Sequence, residues 1–339
     1  MTDLSKDFTP AATALPSYTR ADLDAALEAE DAPLVQKILA TRQVTDLESK
    51  TERGWTPLLF ALNSNSRDCV LAVLDAGANV NAAAGGMGET PLTYAVGDYY
   101  GASPLMVSLL LARGADPNLL PLNPQEGPLL TAAKDGKEAI MMLLLDHGAN
   151  IEQGDTWRNT AAHIAAANGH AGVIRILAAH GADLSRLGSG SETPLEKAII
   201  HHNREAFEAL LDCGADSAVA NKYGRTLLMA AAEKGETGVM ERLLGEGLVI
   251  DYADKAGKTA LMYAAEAGKG DAVRRLLELG ANPSLGNGKT ARELAEEKGH
   301  FHVVQEMDAV QKRLAGQQKP AQSGRPLKIT LGPKTGQGG

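Results

Sequence analysis

The chain has 339 residues, of which 44% are hydrophobic and only 4% aromatic, so its core must consist mainly of aliphatic side chains. Its formal net charge is −9, and the +4 carried by residues 316–339 leaves −13 on the residues before them. A body this acidic excludes nucleic acid and anionic membranes as favoured electrostatic partners. The longest apolar run, AIMMLLL at 139–145, is far shorter than the roughly 20 residues of a membrane-spanning helix.

The N-terminal segment, residues 1–18, is predicted to be flexible. It contains acidic residues and lacks a continuous apolar stretch, so it is a poor secretory signal. The next segment, residues 19–50, contains ADLDAALEAEDAPLVQKILA, whose apolar spacing predicts a helix pair that forms an N-terminal capping repeat. We therefore expect a protein of the cytoplasm, with secretion into a host cell without a cleavable signal as the alternative.

Residues 51–287 repeat one pattern with a period close to 33 residues. Phrases such as GWTPLLFAL, GETPLTYAV and GKTALMYAA each contain an anchor residue, and four consecutive anchor spacings of 33 exclude chance as the explanation. Seven repeats are predicted over 51–287, and a more charged unit at 288–315 is predicted to cap the C-terminal end. The anchors are Thr56, Thr90, Gly127, Thr160, Thr193, Thr226, Thr259 and Thr290.

Each unit is predicted to contain two short helices separated by a tight turn. The anchor threonine is placed to cap a first helix of about nine residues, and proline follows at the first helical position in several units. Glycines such as Gly169 and Gly235 end the first helix, and apolar residues at 173, 174, 176 and 177 give one second helix a buried stripe. Helices this short are marginal alone, so they must stack on their neighbours as a solenoid.

These residues resemble a known family. The 33-residue period, the TPL turn, NGH at 168–170 and GADL at 181–184 are similar to the ankyrin repeat, whose phrase T-P-L-H-x-A appears in part as TAAHIA at 160–165. The resemblance covers about residues 20–310. It implies an all-α ankyrin-repeat solenoid of about nine helix-turn-helix units joined by β-hairpin-like loops. It also implies a non-enzymatic protein that binds partners on a concave face lined by turn tips and first helices.

Three histidines, His163, His170 and His180, lie close together in the sequence and raise the question of a metal or catalytic site. A zinc site needs three or four converging ligands, whereas spacings of seven and ten place these side chains on different parts of a repeat. The ankyrin resemblance implies that His163 and His170 form hydrogen bonds to neighbouring loops and helix starts, with His180 in solvent. No metal, cofactor or catalytic residue is therefore predicted.

Variable residues at the turns and on the first helices are the predicted partner-binding residues. Aromatic side chains are enriched at interaction hot spots, and both tryptophans fall on turns. The second repeat is lengthened by VGDYYGASPLM at 96–106, and insertions in repeats tend to lie on functional faces. In the alternative, Phe60 and Tyr94 pack between repeats and the insertion is neutral. The predicted residues are Arg53, Trp55, Phe60, Tyr94, Tyr99, Tyr100, Trp157, Arg158, His201, Tyr223 and Tyr263.

We expect a monomeric scaffold, an adaptor or an inhibitor, that binds a protein partner and neither nucleic acid nor membrane. Two alternatives stay open: a secreted bacterial effector acting on a host protein, and a regulatory subunit of an enzyme. Cys69 and Cys213 fall in repeats four units apart, too far for a disulfide, which is typical of a reducing compartment. Residues 316–339 are predicted to be a disordered basic tail, in which PLKITLG at 326–332 has the pattern of a segment that adds to a partner's sheet edge.

Overall fold

The computed structural model describes residues 17–85, 88–97, 103–121, 127–286 and 288–317. Within these ranges the chain forms 18 α-helices that follow one another as nine pairs. The same ranges contain no strand apart from an isolated bridge between Ala84 and Glu89, and loops between repeats contain turns closed by backbone hydrogen bonds, such as that from the N–H of Asp155 to the carbonyl of Asn159 at 3.0 Å. The predicted all-α fold of about nine helix-turn-helix units is confirmed.

Each pair has a first helix of six to nine residues and a second helix of nine or more. The first helices are α1 (Arg20–Glu28), α3 (Pro57–Asn63), α5 (Pro91–Val96), α7 (Pro128–Lys134), α9 (Ala161–Asn168), α11 (Pro194–Ile200), α13 (Leu227–Lys234), α15 (Ala260–Glu266) and α17 (Ala291–Glu297). The second helices are α2 (Ala32–Ala40), α4 (Arg67–Asp75), α6 (Pro104–Ala112), α8 (Glu138–Asp146), α10 (Ala171–Ala179), α12 (Arg204–Asp212), α14 (Thr237–Gly245), α16 (Gly270–Glu278) and α18 (Phe301–Gln317).

The anchor threonines begin the first helices, as the sequence predicts. In six repeats the threonine hydroxyl oxygen accepts a hydrogen bond from the backbone N–H three residues on, at 3.1–3.4 Å. Each such cap stabilises the protein by about 1 kcal/mol. The six capping residues are Thr56, Thr90, Thr193, Thr226, Thr259 and Thr290.

The first helices that follow an anchor have six to eight residues, which is shorter than the predicted nine. In α9 and α13 the length of eight residues follows from the position of the glycine that ends each helix. Gly169 and Gly235 come nine residues after Thr160 and Thr226 and have left-handed φ angles of 82° and 79°. A left-handed residue there ends the helix before a ninth helical residue can form.

Successive helix pairs stack through small and aliphatic side chains. Helix α9 packs between α7 and α11, and α10 packs beside α8 and α12. On α10 the predicted stripe is buried at Val173, Ile174 and Leu177. Stacking also joins the turns that precede the first helices, because the backbone N–H of Ser189 donates to the carbonyl oxygen of Trp157 at 2.8 Å. The turn tips of neighbouring repeats therefore lie side by side.

The helix pairs pack as two compact units. Helices α1–α12 belong to the first unit, up to residue 219, and α13–α18 to the second, from residue 220. Helix α18 ends at Gln317, two residues beyond the predicted end of the C-terminal capping repeat. Residues 1–16 and 318–339 lie outside the described residues, so the predicted flexible segment, the basic tail and the proposed segment PLKITLG stay predictions.

Candidate functional site

The turn before α9 is held in one shape by an aspartate. Oδ1 of Asp155 accepts hydrogen bonds from the backbone N–H groups of Trp157 and Asn159, both at 2.8 Å, and Oδ2 accepts one from Nδ2 of Asn159 at 3.1 Å. The backbone N–H of Asp155 donates to the carbonyl of Asn159 at 3.0 Å and closes the turn. Residues 155–159, here called the tryptophan turn, therefore have a fixed backbone.

This fixed backbone displays the side chain of Trp157, which is 56% exposed. The second unit repeats the arrangement, because Oδ1 of Asn221 accepts hydrogen bonds from the N–H groups of Tyr223 at 3.0 Å and Arg225 at 3.1 Å. Tyr223 is 62% exposed. Sequence reasoning selected both aromatic residues but missed the residues that hold them, Asp155 and Asn221. An aspartate or asparagine two residues before each aromatic ring was the available signal.

Arg158 lies next to Trp157 and has a left-handed backbone with a φ angle of 61°. The equivalent position of other turns is occupied by glycine, for example Gly54 with φ 76° and Gly224 with φ 77°. A residue with a Cβ atom costs about 1–2 kcal/mol in this conformation. The tryptophan turn thus carries an exposed arginine where glycine is more stable, and backbone strain of this kind is concentrated at functional sites.

We expect Arg158→Gly to raise the free energy of unfolding by about 0.5–1 kcal/mol, because relief of the left-handed strain exceeds the extra freedom of glycine in the unfolded chain. Urea denaturation followed by circular dichroism measures the change. The matched control, Gly54→Ala, should lower the free energy of unfolding by about 0.5–1 kcal/mol, since it creates the same strain and removes the same freedom from the unfolded chain. A loss of stability in Arg158→Gly would contradict the prediction and would mean that the Arg158 side chain makes a stabilising contact.

A second group of predicted residues forms an aromatic cluster in the first unit. The ring of Trp55 lies edge-on to Phe60, with centroids 5.1 Å apart, and to Tyr94, with centroids 6.2 Å apart. Phe60 and Tyr94 are each only 8% exposed, and the Tyr94 hydroxyl donates to Oδ1 of Asn63 at 2.8 Å. The arrangement is the one expected when Phe60 and Tyr94 pack between repeats, and Trp55 covers them. Their role as partner contacts stays a prediction.

The other predicted residues lie apart from these two groups. Arg53 is exposed on the turn before α3, and His201 is exposed at the C-terminal end of α11. Tyr263 lies half-buried on α15 in the second unit. Tyr99 and Tyr100, in the insertion of the second repeat, lie outside the described residues.

Two cations lie over the ring of Tyr263. The ring centroid is 4.9 Å from Cζ of Arg225 and 5.6 Å from Nζ of Lys258, and its hydroxyl donates to Oδ2 of Asp254 at 2.7 Å. Burial first, and then the hydrogen bond to Asp254, raises the pKa of Tyr263 to about 12. The hydroxyl therefore stays protonated at neutral pH and acts as a donor that joins α15 to the turn before it.

The three histidines at 163, 170 and 180 take part in separate hydrogen bonds. Nε2 of His163 bonds to the carbonyl of Glu192, and Nε2 of His170 to the carbonyl of Lys134. His180 is exposed at the end of α10. In the part of the chain that the structure describes, no group of three or more His, Cys, Asp or Glu side chains could hold a metal ion. The contacts of His163 and His170 join neighbouring repeats.

Both cysteines of the chain are free in the structure. Cys69 is buried on α4, where burial raises the pKa of its thiol, and Cys213 is half-buried after α12. Among the described helices, none combines the length and the apolar composition that crossing a membrane requires.

A family model matches most of the chain, and a known protein is similar to about a third of it. A family model described as ankyrin repeats (3 copies) matches residues 23–121, 99–188, 129–221, 195–287 and 228–308. A stretch of 119 residues is 32% identical to "Ankyrin repeat, SAM and basic leucine zipper domain-containing protein 1" of Carollia perspicillata. That stretch covers 34% of this chain and 24% of the relative, so the likeness spans about a quarter of the relative's length. The family matches extend over both compact units.

Proposed function

Because this chain belongs to the ankyrin-repeat family, we propose that it is a non-enzymatic scaffold that binds a protein partner through the tryptophan turn. Ankyrin repeats are general modules of protein–protein interaction, which supports a protein as the partner. The observation that carries the proposal is the side chain of Trp157, 56% exposed on a backbone held by Asp155. We propose that the tryptophan turn belongs to the concave face, which turn tips and first helices line in this kind of repeat.

A tryptophan displayed on a rigid turn is a favourable contact for a partner. Tryptophan and arginine are enriched among hot-spot residues, whose truncation weakens binding by about 2 kcal/mol or more. Since the backbone of the tryptophan turn is already fixed, little conformational entropy is lost on binding. Arg158 adds guanidinium donors that suit a carboxylate. A partner surface with an apolar pocket beside an acidic residue therefore matches Trp157 and Arg158.

The turn of the next repeat extends the proposed surface. The hydrogen bond from the N–H of Ser189 to the carbonyl of Trp157 joins the two turns directly. Leu187 is 39% exposed, and Ser191 has a left-handed φ angle of 63°, as Arg158 does. The proposed contact surface therefore consists of residues 155–159 and 187–192.

We expect Trp157→Ala to weaken partner binding by about 30-fold or more, equal to about 2 kcal/mol, without lowering the melting temperature. The experiment captures the partner from a lysate of the source organism with the full chain, identifies it, and then titrates it against each variant. The matched control is Met142→Ala, which removes a 45% exposed apolar side chain from α8, away from the turns. Equal losses in the two variants, or a loss with Met142→Ala alone, would overturn the proposal.

We also propose that this protein is a monomer of the cytoplasm and that it does not bind nucleic acid. The free Cys69 and Cys213 support a reducing compartment. The net charge of −9 supports a protein partner over nucleic acid. Light scattering coupled to size-exclusion chromatography tests the monomer, since a mass near twice 35.5 kDa would contradict it.

A further inference from the structure

The two turns of the second unit at residues 221–225 and 254–258 carry four cations in two rows. Lys222 and Lys255 occupy the second position of their turns and form the outer row, and both are exposed. Arg225 and Lys258 occupy the fifth position and form the inner row, next to the first helices. The two turns are adjacent, because the backbone N–H of Lys255 donates to the carbonyl of Tyr223 at 3.0 Å, so each row contains one cation from each turn.

The inner row is already neutralised within the protein. Arg225 forms an ion pair with Glu233, and Nζ of Lys258 lies 2.6 Å from a carboxylate oxygen of Glu266. Arg225 and Lys258 also both lie over the Tyr263 ring, at 4.9 Å and 5.6 Å from its centroid. Their charges are therefore committed to the protein's own first helices and are not available to a ligand without breaking these contacts.

The outer row has no such compensation. Nζ of Lys255 donates to the carbonyl oxygen of Lys222 at 2.8 Å, which holds one ammonium group over the neighbouring turn. Nζ of Lys222 lies 5.1 Å from the ring centroid of Tyr223, which is 62% exposed. Within the described ranges, neither lysine has a carboxylate within 4.0 Å. The outermost surface of the second unit thus presents two unbalanced cations beside an exposed aromatic ring.

We propose that Lys222, Tyr223 and Lys255 bind an acidic peptide segment of a partner protein. The two ammonium groups donate charge-assisted hydrogen bonds to carboxylates of the segment, and an apolar side chain of the segment packs on the Tyr223 ring. The lysine ammonium group suits this role because it acts as a compact charge with three donors and places little demand on the geometry of its partner. The inference rests on the proposed function as a protein-binding module, but it concerns the second unit and its own ligand.

A short acidic peptide fits these residues better than a nucleic acid does. A phosphate backbone carries a dense row of charges and needs several cations to balance it. Of these four cations only the outer pair is uncommitted, because Glu233 and Glu266 already neutralise the inner row. Two carboxylates beside an apolar side chain match the two ammonium groups and the single exposed ring.

The test uses the full chain and a fluorescein-labelled octapeptide with glutamate at every second position, separated by glycine and leucine in turn. Its control peptide has glutamine in place of glutamate. Fluorescence anisotropy should detect binding of the glutamate peptide alone, weakening as salt screens the charges. The double reversal Lys222→Glu and Lys255→Glu should weaken binding by about tenfold or more.

A matched double reversal separates the effect of the charges at Lys222 and Lys255 from the effect of the protein's net charge. Lys37→Glu and Lys312→Glu change two exposed lysines on α2 and α18 and alter the net charge by the same amount. These changes should weaken binding by less than about twofold. Equal effects of the two double variants, or equal binding of the two peptides, would overturn the proposal. Tighter binding of an eight-nucleotide single-stranded RNA, lost in Lys222→Glu and Lys255→Glu, would also overturn it.

The same peptide titration keeps the two proposals apart. Trp157→Ala should leave the affinity for the glutamate peptide unchanged, because Trp157 belongs to the first unit and the peptide contacts the second. If Trp157→Ala loses the partner while peptide binding fails, the proposed function stands and the acidic-peptide site is wrong. If the peptide binds as expected and Trp157→Ala keeps its partner, the tryptophan turn is wrong instead.

Discussion

Replacing His163 with alanine is expected to lower the free energy of unfolding by about 2–4 kcal/mol, among the largest effects of any single change in this protein. The imidazole is 1% exposed and lies at the start of α9. Its Nδ1 accepts a hydrogen bond from the backbone N–H of Thr160 at 3.2 Å, so Nε2 carries the proton and donates to the carbonyl of Glu192 at 3.2 Å. Alanine removes both bonds, leaves two backbone groups without them, and opens a cavity between neighbouring repeats.

The same histidine should make stability depend on pH. Burial, ahead of the other influences, holds the pKa of His163 below the 6.5 of a free side chain. As pH falls below 6.5, the unfolded chain takes up a proton on His163 that the folded chain does not. The free energy of unfolding therefore decreases until the pH reaches the pKa of folded His163, below which both states carry the proton. His163→Gln removes this contribution. The stability difference between the natural chain and His163→Gln should therefore shrink from about pH 7.5 to about pH 5.

Both effects are measurable by urea denaturation followed by tryptophan fluorescence. The two tryptophans belong to the first unit, which also contains His163, so the signal reports unfolding of that unit. The control is His201→Ala, which changes an exposed histidine at the end of α11 and should alter stability by less than about 0.5 kcal/mol. A stability difference that grows toward acid pH would contradict the buried neutral imidazole.

Phe60→Ala is expected to lower the free energy of unfolding by about 3–4 kcal/mol, because it removes a buried ring from the aromatic cluster. Phe60 is 8% exposed and meets the edge of Trp55 with ring centroids 5.1 Å apart. Loss of this edge-to-face contact accounts for about 0.5–1.5 kcal/mol, and the lost burial and the cavity account for the rest. Thermal melting followed by circular dichroism measures the change.

Two further variants decide whether the aromatic cluster packs the repeats or contacts a partner. Phe60→Leu keeps most of the volume and should cost less than about 1.5 kcal/mol. Tyr94→Phe keeps the ring but removes the donor to Asn63, and should cost about 0.5–1.5 kcal/mol. If these residues pack the repeats, both variants should lose less stability than Phe60→Ala, and the folded variants should still bind the partner. Loss of partner binding in Phe60→Leu at full stability would instead make Phe60 a contact residue.

Most of the repeat architecture was predictable because its determinants act over a few residues. A threonine that caps the backbone three positions on, a proline at the first helical position and a glycine in the left-handed conformation each work within one turn of chain. The first helices that follow an anchor were predicted at about nine residues and have six to eight, and in α9 and α13 a left-handed glycine ends the helix after eight residues. The division into two compact units at residue 219 has no marker in the repeat spacing, which continues at 33 residues across it.

The sequence by itself determined the all-α repeat fold, the capped helix starts and the choice of turn residues as candidates. Only the tertiary structure decided which of those residues are available to a partner. Trp55 and Trp157 both lie on turns, yet Trp55 packs against Phe60 and Tyr94 while Trp157 is 56% exposed. Trp55 is the last residue before its anchor threonine and faces the stacked helices, whereas Trp157 stands three residues before its anchor, at the tip. Exposure depends on what neighbouring repeats, some 30 residues away in sequence, place against each side chain.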